Sequence, residues 1–225
     1  MYNEPENICH EEQLIPLFAE ERAELAQRNA KQLFKGMTQY KCAMMDIESR
    51  FNLLNEEYIL EHDRAPINSI KTRLKSLPSI VEKLRRKGYP LSAETISTRL
   101  NDVAGVRVIC AFTSDVYELA DALLRQDDIE LIEKKDYIAN PKENGYRSLH
   151  LIVTTPIYLS NEKKHIKVEI QLRTIAMDSW ASLEHRLRYK SNAVFTEEMT
   201  SELQYCAMLS QELDCRMDAL KKEIL

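Results

Sequence analysis

Glycine is scarce in this chain, with only four among 225 residues. No stretch has the spacing G-x-x-x-x-G-K-[ST], which excludes the P-loop as the means of holding a nucleotide phosphate. Cysteine is also limited, because the five cysteines are odd in number and form no C-x-x-C pair. We therefore expect reduced thiols and a cytoplasmic protein rather than a disulfide-bonded secreted one.

Long apolar runs and an excess of basic residues are missing as well. No run approaches the roughly 18 apolar residues that a membrane span needs, and the acidic, polar residues 1–13 do not predict a signal peptide. The net charge of −5 and the pI of about 5.7 argue against bulk binding to nucleic acid or to anionic membranes. Basic chemistry must therefore come from local patches.

The apolar pattern predicts an α+β fold, a sheet domain with helices at both ends. Serine and threonine are expected to cap two of the helices, Ser114 in the middle of the chain and Thr196 near its end. The predicted elements are a helix over 21–62, a strand at 104–112, a helix at 114–126, strands at about 129–138, 146–157 and 165–173, and a helix at 174–190.

Two apolar stripes with helical spacing lie near the two ends of the chain. Such a stripe is typical of a helix packed on its own domain or on a sister helix, and the pattern leaves both readings open. The first stripe consists of Tyr40, Met44, Ile47, Phe51, Leu54 and Tyr58, and the second of Met199, Leu203, Cys206, Leu209, Leu213, Met217 and Leu220.

A basic segment stands out in this acidic chain at residues 71–87. Ser79 followed by Glu82 has the capping-box spacing, which predicts that a helix begins at Ser79 and carries Lys83 and Arg86 on one face. A helix N-terminus with a hydroxyl and cations on one side can bind an anion such as a triphosphate. The alternative is a solvated basic face. The cations are Lys71, Arg73, Lys75, Lys83, Arg85, Arg86 and Lys87.

Two carboxylates occupy unusual positions in the predicted strands. Asp102 stands where a buried strand begins, and Glu169 lies within a later strand on the same face as Gln171 and Arg173. If these strands are neighbours, the two acids can share Mg²⁺, since they would otherwise repel each other. Asp102 could instead be a turn or cap residue. Arg107 lies inside an apolar run, so we expect it to meet an anion.

The segment after residue 140 combines a loop lysine with a strand of mixed character. Period two places Tyr146, Ser148 and His150 on one face, whereas the alternate leucine and valine residues face the core. A base stacked on Tyr146, with phosphate near Lys142 and His150, would suit this arrangement. The alternative is an ordinary hairpin with a polar outer face.

These four segments, in this order, resemble the synthetase domain of the RelA/SpoT family. TRLKSLPSIVEKLRRKG is similar to its ATP-site segment, DVAGVRV to its D-[IVL]-A-G-[ILV]-R strand, DYIANPKENGYRSLH to its G-loop, and VEIQLRTIAMDSWASLEH to its signature strand and helix. The resemblance covers about residues 40–215. It is nearest to the single-domain small alarmone synthetases, and the KTR and DYIANPK segments resemble the RelP-type branch.

The resemblance implies a nucleotidyltransferase-like fold, a mixed β-sheet with flanking helices and helical extensions, and a GTP pyrophosphokinase activity. Such an enzyme transfers pyrophosphate from ATP to the 3′-hydroxyl of GDP or GTP, and releases AMP with ppGpp or pppGpp. It implies a helical extension at 1–62, a synthetase domain at 63–190, a C-terminal helix at 191–225, and a homo-oligomer, favoured as a tetramer through terminal helices. No membrane and no stable nucleic-acid partner are expected.

The resemblance also assigns a role to each candidate site residue. Glu169 would bind metal, activate the ribose hydroxyl, or do both, and position 178 carries asparagine in some family members. The implied ATP ligands are Arg73, Lys75, Ser79, Lys83 and Arg86; the catalytic residues are Asp102, Arg107 and Glu169, of which Asp102 and Glu169 hold Mg²⁺; and the guanine-nucleotide ligands are Lys142, Tyr146, His150, Gln171 and Asp178.

Two other functions remain open at this point. A nucleotidyltransferase-like enzyme acting on another acceptor would release free pyrophosphate instead of AMP, but the Gly-Ser and Asp-x-Asp pattern of such enzymes is absent. A non-catalytic module that binds nucleotide or RNA is the second alternative. It would gain nothing from buried carboxylates at Asp102 and Glu169.

Overall fold

The computed structural model describes residues 11–190 and 195–224, so the predictions on residues 1–10 and 191–194 lie outside the described residues. Within the described part, no helix is long and apolar enough to cross a membrane. The helices are α1 (Glu11–His62), α2 (Leu77–Arg86), α3 (Ala93–Arg99), α4 (Thr113–Leu124), α5 (Ile175–Lys190) and α6 (Glu197–Ile224). The strands are β1 (Ile67–Leu74), β2 (Ala104–Cys110), β3 (Glu130–Asp136), β4 (Leu149–Tyr158) and β5 (Lys163–Thr174).

The five strands form one mixed sheet in the order β1-β2-β5-β4-β3. β2 and β5 run parallel, whereas the other neighbouring pairs are antiparallel. This arrangement confirms the predicted α+β fold. Because parallel strands begin at the same edge, Asp102 just before β2 comes close to the part of β5 that carries Glu169, which pairs in register with Gly105.

Apolar and polar side chains alternate along β4 and β5, as predicted, so that one face of these strands lies in the core and the other faces the site. Val168, Ile170 and Leu172 are fully buried on β5, and the corresponding apolar residues of β4 are buried with them. α1 covers this apolar layer with the first stripe, including Ile47 and Phe51, which are both completely buried. Full burial of each such side chain contributes roughly 1.5–3 kcal/mol. The first stripe is therefore core, and the expectation that it could also form an interface between subunits is wrong for its buried residues.

The second stripe has the opposite environment. Met199, Leu209, Leu213, Met217 and Leu220 on α6 are each 43–53% exposed. The face of α6 that packs on the domain is polar and small instead, and it contains the buried Ala207 and Asp214.

Two predicted helix caps are wrong. The N-cap of α2 is Ser76, whose side chain accepts from the amide of Ser79, because Pro78 fits the first turn of a helix that begins at Leu77. α4 begins at Thr113 without a side-chain cap, and the carboxylate of Asp218 on α6 accepts from the amide and hydroxyl of Ser114. A tertiary acceptor thus replaces the local cap.

A third predicted cap, Thr196, is confirmed, since its hydroxyl accepts from the amide of Met199 at 3.2 Å.

Some of the strands and helices begin or end at residues other than those predicted. β1 and α3 were not predicted, and residues 71–74 of β1 belong to the segment that was interpreted for its charges and for a helix start. β4 begins at Leu149 rather than at residue 146, so Tyr146 lies in the preceding loop.

Candidate active site

One part of the site is cationic and is built by β1, α2 and the start of β2; we call it the cationic half. The ammonium groups of Lys75 and Lys83 both donate to Oδ2 of Asp102, at 2.7 and 2.6 Å. Lys75 is held beside β2 because its amide donates to the carbonyl of Val103 at 2.8 Å. Arg73 pairs with Gly105 across β1 and β2 and lines the same cleft.

The second oxygen of Asp102 has no such partner. Oδ1 is buried without a hydrogen bond, although Oδ2 accepts two. Burial alone would raise the pKa of Asp102, but the hydrogen bonds and charges of Lys75 and Lys83 outweigh it and lower this pKa below its ordinary value. Asp102 is therefore ionised at neutral pH, with one buried oxygen directed at no donor.

Glu169 faces the same cleft of about 430 Å³ from β5. Burial, and secondly repulsion by Asp102, raise the pKa of Glu169 above its ordinary value, although Gln171 and the nearby lysines oppose the shift. The parallel pairing of β2 with β5 thus brings both predicted acids together. The cleft is lined by Lys71, Thr72, Arg73, Lys75, Asp102, Gly105, Val106, Arg107, Glu169 and Gln171.

The donor set of this cleft fits Mg²⁺ better than a metal that needs an all-protein cage. No group of three or more His, Cys, Asp or Glu able to hold a metal occurs within residues 11–190 and 195–224. Mg²⁺ is usually bound by one or two carboxylates together with substrate phosphates and water. Asp102, with its unpartnered buried oxygen, and Glu169 match that requirement.

Asp178, at the start of α5, joins three cations. Its carboxylate accepts from Lys71 at 2.9 Å, from Arg107 at 3.3 Å and from Arg173 at 3.5 Å. The expectation that Arg107 meets an anion is therefore confirmed, and the anion is this carboxylate. Asp178 is 9% exposed, so it acts here as a buried counter-ion between β1, β2 and β5.

The other part of the site is aromatic and is built by the 137–148 loop, β4 and the end of β5; we call it the aromatic half. Arg173 donates to the hydroxyl of Tyr146 at 2.8 Å, and that hydroxyl lies 2.9 Å from Nε2 of His150. Because an arginine can only donate, the tyrosine hydroxyl accepts from Arg173. Between that hydroxyl and Nε2 of His150 either atom can be the donor. With Nε2 as the acceptor, the neutral imidazole carries its proton on Nδ1.

The electrostatic surroundings keep His150 neutral. Burial, followed by the positive charges of Arg173, Lys142 and other nearby cations, lowers the pKa of His150 to about 4. Nδ1 lies 3.7 Å from Oε1 of Glu169, which is beyond hydrogen-bond distance for a neutral ring. His150 can therefore offer an N–H to a ligand beside Glu169 without adding a charge.

Lys142 lies against aromatic rings. Its ammonium is 4.6 Å from the centroid of Tyr137 and 5.0 Å from that of Tyr146, distances at which a cation is attracted to a ring face. A second cleft of about 240 Å³ opens here. Glu169 lines this cleft as well as the first, so it stands between the two halves.

Three residues that were predicted to lie in the site do not line either cleft. Ser148 is fully buried and donates to the carbonyl of Leu172 at 3.1 Å, so it does not share the exposed face with Tyr146 as period two predicted. The hydroxyl of Ser79 lies 2.9 Å from that of Ser76. Arg86 is exposed in the last turn of α2 and is not among the cleft residues.

Sequence reasoning assigned no role to several residues that the structure brings into the site. Arg173 is 2% exposed and contacts Tyr146, Gln171 and Asp178. The sequence showed that Arg173 shares one face of a strand with Glu169 and Gln171, but its neighbours in the sequence did not distinguish it from an exposed arginine. Tyr137 and Lys135 line the second cleft, and no motif marked them.

A protein-family comparison decides where this fold and site belong. The model of the region found in RelA/SpoT proteins matches residues 72–194. The chain belongs to the RelA/SpoT family. The matched region of the family begins within β1 and includes α2, β2, the 137–148 loop, β4 and β5, so both halves of the site lie within it except for the part of β1 up to Lys71.

Close relatives within the RelA/SpoT family are small alarmone synthetases. The chain is 44% identical over 185 residues to the GTP pyrophosphokinase YwaC of Bacillus subtilis, covering 82% of this chain and 88% of YwaC. Small alarmone synthetase 1 of Bacillus subtilis bound to its product pppGpp matches with a TM-score of 0.77 and 36% identity, over 86% of this chain and 98% of that one. Bound to AMPCPP, the same synthetase matches with a TM-score of 0.71 and 33% identity, over the same shares. The RelP-type branch stays a prediction.

Proposed function

We propose that this chain is a GTP pyrophosphokinase that transfers the β,γ-pyrophosphate of ATP to the 3′-hydroxyl of GDP or GTP. The observation that carries the proposal is the position of Glu169 between a cationic cleft and an aromatic one. The relatives named for this activity, and the related structures with an ATP analogue and with pppGpp, support the same assignment.

The cationic half is suited to the phosphates of ATP. Lys75 and Lys83 converge on Asp102, and Arg73 lines the same cleft, so a triphosphate would meet several positive charges at once. The N-terminus of α2 adds a partial positive charge next to Ser79. Arg86 would join this group by a movement of its exposed side chain.

The aromatic half is suited to the guanine nucleotide. Tyr146 offers a ring for stacking on the base, and Lys142 and the Nδ1–H of His150 offer donors for its phosphates. Gln171 is held by a hydrogen bond from Arg173 at 2.7 Å to its amide oxygen, and its amide N–H side faces Glu169, so Gln171 lies beside the reacting groups. Asp178 would act through the cations that it holds.

The transfer itself needs a base and charge neutralisation rather than a covalent intermediate. The ribose 3′-oxygen forms a bond to the β-phosphorus of ATP. The bond from that phosphorus to the oxygen between the α- and β-phosphates breaks, and this oxygen leaves as part of AMP. Glu169 accepts the proton of the 3′-hydroxyl, for which its raised pKa is favourable. Arg107 and Lys83 offset the negative charge on the transferred group.

Asp102 and Glu169 are the proposed holders of Mg²⁺. When bound, the ion would neutralise phosphate charge. The unpartnered Oδ1 of Asp102 supports this role, because a buried carboxylate oxygen without a donor is costly unless a ligand satisfies it.

Incubation of the protein with ATP, Mg²⁺ and either GDP or GTP, followed by ion-exchange separation of the nucleotides, tests the activity. We expect AMP and a guanosine 3′-pyrophosphate in equal amounts, and no product when EDTA is present. ADP or free pyrophosphate as the stoichiometric product would contradict the proposal and favour a kinase or a nucleotidyltransferase.

We also propose that the chain is a cytoplasmic homo-oligomer, with a tetramer favoured. The exposed stripe of α6 supports this, since Leu209, Leu213 and Met217 are each 43–53% exposed on one helix. Light scattering at micromolar concentration measures the mass. Leu213→Glu should lower that mass, whereas Glu212→Gln, on the neighbouring position, should not; a monomeric unmodified protein contradicts the proposal.

A further inference from the structure

The 137–148 loop has little regular structure of its own, although it carries Lys142 and Tyr146. Its internal backbone bonds include those from Lys142 to the carbonyl of Tyr146 and from Gly145 to that of Lys142. Residues 139–143 are exposed. Contacts from outside must therefore contribute to its shape.

α6 supplies several of those contacts. Gln204 donates to the carbonyl of Glu143 at 2.8 Å. Arg147, at the end of the loop, donates to Asp214 at 2.6 Å and to Ser210 at 3.2 Å. Ser210 and Asp214 are four residues apart and share one face of α6, and Gln204 lies beside that face, so the helix contacts the loop both near its middle and at its end.

The loop and α6 also touch without space between them. Gly145 has φ of +87°, and a Cβ at this position would lie 2.4 Å from the Cβ of Ala207. A side chain at residue 145 would therefore both strain the backbone and collide with the helix. Trp180 on α5 closes the same contact and donates to the carbonyl of Leu203 on α6 at 3.0 Å.

The ion pair between Arg147 and Asp214 is the charged centre of this contact. Arg147 is 5% exposed and Asp214 is 7% exposed, so neither charge is satisfied by bulk water. Arg147 directly follows Tyr146, so the ion pair anchors the backbone next to the residue that carries this ring. Buried ion pairs fix geometry well because either partner alone is unfavourable.

We propose that Asp214 is a positioning residue for the guanine nucleotide: through Arg147, α6 holds the 137–148 loop in the shape that receives the base and its phosphates. This inference rests on the proposed function. Asp218 and Lys221 anchor α6 on α4 instead, through Ser114 and Asp115. Loss of the loop contact should therefore weaken GDP or GTP while ATP, bound by β1 and α2, is unaffected.

Asp214→Asn tests the inference against Asp218→Asn, which makes the same change one turn later on the same helix. We expect Asp214→Asn to raise the KM for GDP about tenfold, within the range of about 5–150-fold that is typical of coupling between two positions. The KM for ATP should change less than about twofold, and Asp218→Asn should leave both KM values within that margin. Equal increases of both KM values in Asp214→Asn, or an unchanged KM for GDP, would overturn the inference.

A milder pair of variants keeps the test informative if Asp214→Asn does not fold. Gln204→Ala removes the donor to Glu143 and should raise the KM for GDP alone, by less than Asp214→Asn does. Gln211→Ala, on the exposed side of α6, is its control and should change neither KM. Equal kinetics in the two variants would contradict the role of α6.

Binding can be followed without turnover, because Trp180 is the only tryptophan in the chain and lies against Gly145. GDP added without ATP should change its fluorescence, at about tenfold higher concentration in Asp214→Asn than in the unmodified protein. If the unmodified protein binds GDP but makes no guanosine 3′-pyrophosphate, the proposed function fails and the inference stands. Identical titrations in both proteins, with normal synthesis, would refute the inference and leave the function intact.

Discussion

The two halves of the site hold their polar groups in different ways. In the cationic half, the long side chains of Lys75 and Lys83 converge on one oxygen of Asp102, and Arg73 in the same cleft is exposed. The aromatic half instead contains three largely buried side chains that are connected by hydrogen bonds, Arg173 to Tyr146 and Tyr146 to His150. A phosphate chain can be bound by summed charge, whereas a base needs a surface in one position. The two halves should therefore respond differently to substitution.

The largest effect is expected from Asp102→Asn in the cationic half. The variant keeps the shape of the side chain but removes the charge that the proposed Mg²⁺ requires. We expect kcat to fall by roughly a thousandfold, since metal stabilisation of transferred phosphoryl groups is worth several kcal/mol. Asp121→Asn, exposed on α4, is the matched control and should retain full activity. Near-normal turnover in Asp102→Asn would remove Asp102 from the reaction.

Glu169→Gln should reduce kcat by about a hundredfold or more, as expected when a general base is lost.

The effect of Glu169→Gln on the stability of the fold should be opposite to that of Asp102→Asn. The pKa of Asp102 is lowered by folding, so its carboxylate stabilises the fold at neutral pH and loses that contribution as the pH falls through the lowered pKa. The pKa of Glu169 is raised, so its carboxylate destabilises the fold once the pH has risen through the raised pKa.

Melting curves at about pH 7 decide the sign of these two contributions. Asp102→Asn should melt below the unmodified protein, whereas Glu169→Gln should melt at the same temperature or above it. A melting temperature that falls equally in both variants would show that the two acids do not differ in their surroundings.

Tyr146→Ala should weaken GDP by about 5- to 150-fold, because stacking of a base on an aromatic ring is worth roughly 1–3 kcal/mol. Tyr146→Phe keeps the ring but loses the hydroxyl that joins Arg173 to His150, so a smaller loss is expected. KM values for GDP and ATP in both variants are the measurement, with Tyr158→Ala, 75% exposed on β4, as the control. Equal loss for both nucleotides would identify Tyr146 as a structural residue.

The smallest effect at neutral pH is expected from His150, because its contribution to the stability of the fold changes only as the pH falls. Folding lowers the pKa of His150 to about 4 from its ordinary value of 6.5, so the neutral ring stabilises the fold above the unfolded pKa. That contribution, roughly 3 kcal/mol for a shift of this size, is lost as the pH falls from about 6.5 towards about 4. His150→Gln should therefore lose less stability over this interval than the unmodified protein, measured by urea unfolding. His165→Gln, exposed on β5, should behave like the unmodified protein, and parallel curves for all three would contradict the prediction.

Much of the cationic half could be predicted because its evidence is local. Lys75, Lys83 and Asp102 stand out by charge in their own segments, and the alternation of Glu169 with apolar residues indicated a strand with one polar face. Arg173 and Tyr137 could not be recognised in this way. Their importance comes from contacts with residues far along the chain, such as Arg173 with Tyr146.

Residue order by itself determined the periodicity of the helices, the alternation of β4 and β5, and the chemical groups that each segment could present, because these depend on neighbours within one or two turns. Only the tertiary structure decided which apolar stripe is buried. The stripe of α1 lies in the core, but that of α6 is exposed, since the adjoining face of α6 makes the ion pair with Arg147 and the contact with Gly145. A stripe shows that a helix has an apolar face, whereas burial depends on the surface that meets it, and that surface comes from distant parts of the chain.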